Sequence, residues 1–212
     1  MKIKFSFFQY VWIFIASCYT GYLVETLWCF IRHGFIESRK SLVLGHLSVA
    51  YGMGAVLLTL LLTYVQNAKS WQIFLISYLA GTVTEYICSL GQELLFGTVA
   101  WDYSKVPLNI NGRVCLLYSL FWGVLGLAWV KIVMPGINNL FGKVEIPFEN
   151  VIIYSFIAFF VFDCALSASA AVRMNKRDEG IPAQTKFSQF LDNHYPDEKM
   201  HEIYANSKQV EK

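Results

Sequence analysis

Apolar residues run through most of this chain in long blocks, interrupted at Arg32 to Lys40, Gln66 to Ser70, Gly97 to Arg113 and Pro135 to Pro147, and ending near Arg173. Several blocks approach the roughly 20 residues that a helix needs to cross hydrocarbon. The pattern predicts an all-α, polytopic helical membrane protein with about five transmembrane helices, over residues 7–31, 44–65, 71–96, 114–134 and 150–172. Residues 1–174 form the helical transmembrane domain on this reading. Residues 175–212 form a short soluble tail, with a helix starting at Pro196-Asp197-Glu198 and reaching about Ser207.

Helical spacing sorts the polar residues within these blocks onto faces. At about 100° per residue, Cys18, Gly21, Tyr22, Glu25, Cys29 and Arg32 share one side of the first span, leaving Phe14, Ile15, Leu23, Leu27 and Phe30 mainly for lipid. Tyr78, Gly81, Thr82, Glu85, Ser89 and Gln92 share one side of the third span, with Glu93 just off that stripe. In the fourth, Cys115, Ser119, Trp122, Gly123 and Gly126 make a strip of mostly small residues suited to helix contact; in the fifth, Asp163, Ser167 and Ala170 lie together. The second span opens with His46, Ser48, Tyr51, Gly52 and Gly54. Its run from Val56 to Leu62 shows no face preference and suits lipid. Pro135-Gly136 is expected to end the fourth span, with the stretch through Pro147 left as a surface loop or interfacial piece.

Composition supports this class: of 212 residues 56% are hydrophobic and 15% charged, with a mean hydropathy of +0.45. A net charge of +2 without a basic patch gives no reason to expect nucleic acid as a partner. The N-terminal Met1-Lys2-Ile3-Lys4 resembles a signal-peptide start, but the apolar run is too long and contains Glu25, so a retained first span is expected. Placing Arg32, Arg39, Lys40, Lys105, Arg113, Arg173, Lys176 and Arg177 inside leaves Lys2, Lys4, Lys69 and Lys143 outside. The positive-inside rule therefore favours N-out, C-in.

The densest polar cluster runs from Thr84 to Gly123. An apolar helix carrying Glu85, Gln92 and Glu93 breaks at Gly97 into a loop containing Trp101, Asp102, Tyr103, Asn109, Asn111 and Arg113. Ionisable groups placed where hydration is poor need partners and point to a functional site. Arg113 can bridge Glu93 or Asp102 as a structural clasp. Glu85 works either as a neutral hydrogen-bonding acid or as a titrating one, since burial favours the neutral form of a carboxyl. With Glu25 and Asp163, it makes three span acids. Cys18, Cys29, Cys88, Cys115 and Cys164 lie in apolar segments without metal-ligand spacing, so neither a metal nor a cofactor is expected. The chain contains no phosphate-binding Gly-x-x-x-x-Gly-Lys-Ser/Thr loop, so energy from ATP would have to come from a separate chain.

Four pieces carry a family resemblance: Gly21-Tyr22-Leu23-Val24-Glu25-Thr26, Tyr51-Gly52-Met53-Gly54, Thr84-Glu85-Tyr86, and Trp101-Asp102-Tyr103-Ser104 through Asn109-Ile110-Asn111-Gly112-Arg113-Val114-Cys115-Leu116. On these the chain resembles the bacterial "putative ABC-transporter type IV" family, also called CmpB-like permeases. Leu44-Gly45-His46 and Val49-Ala50 stand where that family usually carries a Gly-Pro and a Pro. The resemblance implies a small multi-pass protein of the bacterial cytoplasmic membrane.

Three functional readings stay open. The first is a transport permease or transport-associated subunit, with Glu25, Glu85 and Asp163 lining a polar path and Arg113 neutralising it. The second is a membrane-embedded enzyme acting on a lipid or isoprenoid through paired carboxyls. The third is a non-catalytic membrane adaptor. Expected partners are the lipid bilayer and either a homo-oligomer or a separate ATPase chain.

Overall fold

The computed structural model of the chain describes residues 2–96, 98–205 and 208–209. Gly97 and the expected end of the tail helix at Ser207 lie outside them. Among the described residues, four helical runs are long and apolar enough to cross a membrane, joined by one shorter apolar helix. In chain order these are α1 (Phe7–His33), α2 (Val49–Val65, the short one), α3 (Ser70–Phe96), a composite run of α4 (Leu116–Ala128), a π-helical turn (Trp129–Val133) and α5 (Met134–Phe141), and α6 (Glu149–Asp178). Two small helices follow, α7 (Lys186–His194) and α8 (Asp197–Ile203).

Side-chain contacts show which helix ends lie together. Ile3 donates its backbone N–H to Gln66 Oε1 at 2.9 Å, Phe5 packs edge-on to Phe141, and Trp12 Nε1 donates to Glu149 Oε1 at 2.9 Å. The N-terminus therefore sits with the α2–α3 turn and the start of α6. The opposite end collects the chain after α1, the α3–α4 loop and the C-terminal tail.

The faces read from helical spacing hold in the main: Cys18, Gly21 and Cys29 of α1 are buried while Leu23, Leu27 and Phe30 are exposed, and Ser119, Gly123 and Gly126 of α4 are buried. Two positions depart from them: Arg32, at the end of α1, is exposed, and half-buried Phe14 packs on Phe156 and Phe160 of α6. α3 and α4 approach so closely that a Cβ on Gly81 would overlap the Trp122 ring and one on Gly126 would overlap Ser77. Small residues at such crossings let backbones meet where lipid supplies no hydrophobic drive.

Four expectations are corrected. The second helix begins at Val49, not near Leu44, because residues 41–48 are drawn into a non-helical segment by partners on other helices. Within α2 the leucine run is not all lipid-facing: Leu58 and Leu62 are buried, with Leu62 fully so at 0% exposed, and pack with Ile73 and Met134. Hydrophobic periodicity is silent where every position is apolar. The fourth span does not stop at Pro135-Gly136. Proline lacks an N–H and crowds the carbonyl four residues back, and the wider π-helical turn immediately before it absorbs that misfit, so the helix continues to Phe141. Finally, α6 runs through residues 174 and 175 to Asp178, and the tail carries two helices instead of one.

The tail folds back onto α6. Leu191, Tyr195, Met200 and Ile203 form one buried cluster with Val43, Leu166 and Ala170. Arg173 grips Asp192 through Nε and Nη2, both at 2.8 Å. Arg177 donates to Asp192 at 2.7 Å, to Asp197 at 2.7 Å and to the Tyr195 carbonyl at 3.0 Å. Beyond α8, a two-residue strand pairs antiparallel with Thr98–Val99, matching Thr98 to Gln209.

The Asp192 carboxyl is held down at about 2, chiefly by its hydrogen bonds from Arg173 and then by Arg177, against burial, which pushes it up. A carboxyl depressed in the folded state stabilises it above the ordinary carboxylate pKa of about 3.9, and that contribution is lost as pH falls toward the folded value. Protection of the α7 amides against hydrogen exchange is thus expected to be level from neutral pH to about 4 and to fall between about 4 and 2. Asp192→Asn should abolish that step; a step that survives in the Asn variant would assign it to another group.

Candidate functional site

The loop between α3 and α4 is ordered by its own polar residues. Asp102 Oδ1 accepts from the Ser104 backbone N–H at 2.8 Å and Oδ2 from the Ser104 hydroxyl at 3.0 Å. Asn109 donates to the carbonyls of Ser104 and Val106 and accepts from the Gly112 N–H at 3.0 Å. A two-residue hairpin pairs Asn109 with Cys115 and Ile110 with Val114. Its tip places Asn111 (φ 52) and Gly112 (φ 68) in the left-handed region, which Asn tolerates and Gly enters without strain. A Cβ at Gly112 would also meet Asp102 Oδ1 at 2.9 Å.

This folded loop lies against the last turns of α3. Arg113 Nη2 pairs with Glu93 at 2.6 Å, and its Nη1 reaches Ser89 Oγ at 3.3 Å. The guanidinium also stands over the Tyr86 ring, 5.7 Å from its centroid. Of the two acids open to Arg113 from the sequence, the structure selects Glu93. Asn111 donates to the Tyr86 hydroxyl at 2.8 Å, Gln92 accepts the Ala100 N–H at 3.1 Å, and Trp101 Nε1 donates to the Arg113 carbonyl at 2.9 Å.

Glu85 sits two turns deeper, half-buried, and both its oxygens are engaged. Oε1 accepts from the Tyr103 hydroxyl at 2.9 Å and Oε2 from Trp122 Nε1 at 3.3 Å. Tyr103 stacks on Tyr118 of α4, with ring centroids 4.7 Å apart. Burial first, and then the adjacent Glu85 carboxyl, push the Tyr103 phenol far above its ordinary pKa, so it remains a donor. One carboxyl thus ties a membrane helix, a loop and a second helix together. Trp122 and Tyr103 were visible as aromatics in the sequence, but nothing there marked them as donors to Glu85.

The other two span acids lie in separate settings. Glu25 Oε1 accepts from the Tyr51 hydroxyl at 2.7 Å, a partnership that the Tyr51-Gly52 motif did not disclose. Asp163 is 0% exposed and binds backbone: Oδ1 accepts from the Leu44 N–H at 3.1 Å and Oδ2 from the Gly45 N–H at 2.7 Å. Ser167 adds its hydroxyl to Asp163 Oδ1 at 3.2 Å and accepts the Val43 N–H at 2.9 Å. Elsewhere in this segment the Ser41 N–H donates to the Leu47 carbonyl at 2.9 Å, Ser48 N–H to the Cys18 carbonyl at 3.0 Å and Val49 N–H to Ser41 Oγ at 3.0 Å. Non-helical backbone in a membrane protein persists where protein groups complete its hydrogen bonds, and Asp163 with Ser167 does so here. Among the described residues, Glu25, Glu85 and Asp163 share no hydrogen-bond partner. No group of three or more His, Cys, Asp or Glu among the described residues is placed to hold a metal ion.

Helix lengths, apolar outer faces and a polar loop packed over a half-buried carboxyl define a helical membrane protein. The chain belongs to the family described as "Putative ABC-transporter type IV", whose model matches residues 12–168. That match takes in Glu25, Glu85, the whole α3–α4 loop and Asp163, and stops before Arg173 and the docked tail. No curated protein and no solved structure matches the chain.

Proposed function

We propose that this chain is a transport-associated membrane subunit whose titratable centre is Glu85. It would work in the bacterial cytoplasmic membrane, N-out and C-in, and take any ATP-derived energy from a separate chain. The observation that carries this reading is the double engagement of Glu85 by Tyr103 and Trp122. A carboxylate accepts from both donors, whereas a protonated carboxyl keeps Trp122 on its carbonyl oxygen and turns its own hydroxyl toward the Tyr103 oxygen, reversing that link. Proton binding would therefore change the direction of the hydrogen bond that joins the loop to the helix pair, and only a titrating group can switch between the two. Intramembrane acids in proton-coupled carriers have this kind of dual role. The separate partner sets of the three acids argue against paired-carboxyl enzyme chemistry, which needs two such groups facing one reacting atom. Asp163, being consumed by backbone donors, takes a scaffolding part in this proposal.

Glu85→Gln separates titration from structure. Its amide can donate to the Tyr103 oxygen while its carbonyl accepts from Trp122, so the fold should persist with a parent-like melt in detergent. Proton uptake into proteoliposomes, followed with a pH-sensitive dye under an imposed gradient, should fall at least about tenfold, as expected when an essential proton-carrying group is removed. Glu85→Ala should lose both the flux and part of the melt. A Gln variant with parental flux would remove Glu85 from the proposal and leave the adaptor reading. The proposed orientation predicts a cytoplasmic signal from a reporter after Lys212 and an external one from a reporter before Met1; both reporters on one side would mean an even number of spans and overturn it.

A further inference from the structure

The tail helix α7 has two apolar faces, and docking on α6 uses only one of them. Inward, Leu191 enters the cluster with Leu166 and Ala170, and Asp192 is gripped by Arg173 and Arg177. Outward, Phe187 is 55% exposed and Phe190 41% exposed. Their rings are parallel with centroids 6.3 Å apart, and the His194 ring stacks on Phe190 at 4.2 Å. Thr185 and Ser188 cap the helix in a reciprocal box. The helix is therefore held in place by contacts that leave its aromatic face free.

We propose that this face rests on the bilayer, with Phe187 and Phe190 set among the lipid headgroups and the upper acyl chains. Three observations favour lipid as the occupant. The first is level: about 20 residues from Glu149 carry α6 across hydrocarbon, to near residue 169. α7 packs on Leu166, Ala170 and Arg173, at the level where α6 leaves the membrane. The second is continuity, because Phe159, Val161, Phe162 and Val172 of α6 are exposed and bring its lipid-facing surface up to that same level. The third is charge. The exposed residues of α7 are Lys186, Phe187, Gln189, Phe190, Asn193 and His194. None is acidic, and the one acid of the helix, Asp192, is turned inward onto two arginines. A surface carrying aromatics and a lysine without a carboxylate suits phosphate-bearing headgroups. The tail is then a strap lying along the membrane, not a domain standing off in water.

The test uses the full chain in nanodiscs of phosphatidylcholine and phosphatidylglycerol. 4-Fluorophenylalanine is placed at Phe187 in one sample and, as a water-facing control, at exposed His201 of α8 in another. Fluorine line widths are read with a headgroup-nitroxide lipid and, separately, with a soluble gadolinium chelate. The Phe187 signal should broaden severalfold more with the lipid nitroxide than with the chelate, and the His201 signal should do the reverse. Equal or greater broadening of Phe187 by the chelate would place α7 in water and overturn the proposal. A Phe187 signal shielded from both agents would put protein over this face, a second copy included, and would overturn it equally.

Discussion

Asp163→Ala should remove most of the folded protein recovered in detergent. The side chain is fully buried, and it satisfies the N–H groups of Leu44 and Gly45 besides receiving the Ser167 hydroxyl. Alanine would strand two backbone donors in a segment where Leu42, Val43 and Leu47 are buried, Gly45 is half-buried and Leu44 is exposed. A fully buried donor left without a partner costs roughly 1–3 kcal/mol, so two part-buried ones put about 2–4 kcal/mol at stake, a large part of the usual margin of about 5–15. An asparagine at this position would keep one acceptor oxygen and turn an amide donor toward the other N–H. Asp163→Asn should therefore fall between parent and Ala in a thermal melt. Amide exchange should report the loss first at residues 43–45, ahead of the α3–α4 loop. An Ala variant that melts with the parent would show that the segment holds itself.

Arg113→Ala should be the next most damaging change, at the other polar cluster. It deletes the 2.6 Å pair with Glu93, the contact to Ser89 and the cover over Tyr86. Breaking one partner of a buried pair costs about 3–5 kcal/mol, because the survivor is left charged without compensation. Glu93 keeps 31% side-chain exposure against 13% for Arg113, so water recovers part of that loss and about 2 kcal/mol is the expected size. The orphaned carboxylate also predicts a partial rescue, with Arg113→Ala combined with Glu93→Gln melting above Arg113→Ala alone. Arg113→Lys should fall short of the parent, since an ammonium cannot reach Glu93 and Ser89 with a planar fork. Equal melts for parent and Arg113→Ala would leave the loop held by Asp102, Asn109 and Trp101 without the clasp.

Much of this molecule was legible in the sequence because a membrane helix must sort its polar residues by angle. Glu25 shares a side with buried Cys18 and Gly21, and Glu85 shares one with buried Gly81 and Ser89. The small-residue strip of α4 could be read in the same way. That Arg113 would clasp an acid was legible too; which acid was not. Asp102 lies closer to Arg113 in sequence than Glu93 does, yet it closes on Ser104 two residues away and leaves the guanidinium to α3.

The class of protein, the protein-facing sides of α3 and α4 and most of that of α1, and the residues of the polar loop could be had from the chain alone, because they follow from length, periodicity and turn chemistry within one segment. Where α2 begins, how the composite helix passes Pro135 and what the acids hold were settled by packing between segments. Asp163 binds the N–H groups of Leu44 and Gly45, and every residue but proline carries such a group, so no pattern of side chains announces that pairing. The same holds for the tail: Arg173, Arg177, Asp192 and Asp197 read as scattered charges until the turn after α6 brings them within hydrogen-bonding distance. Contacts between residues distant in the chain depend on where helices cross, and a one-dimensional period does not contain that geometry.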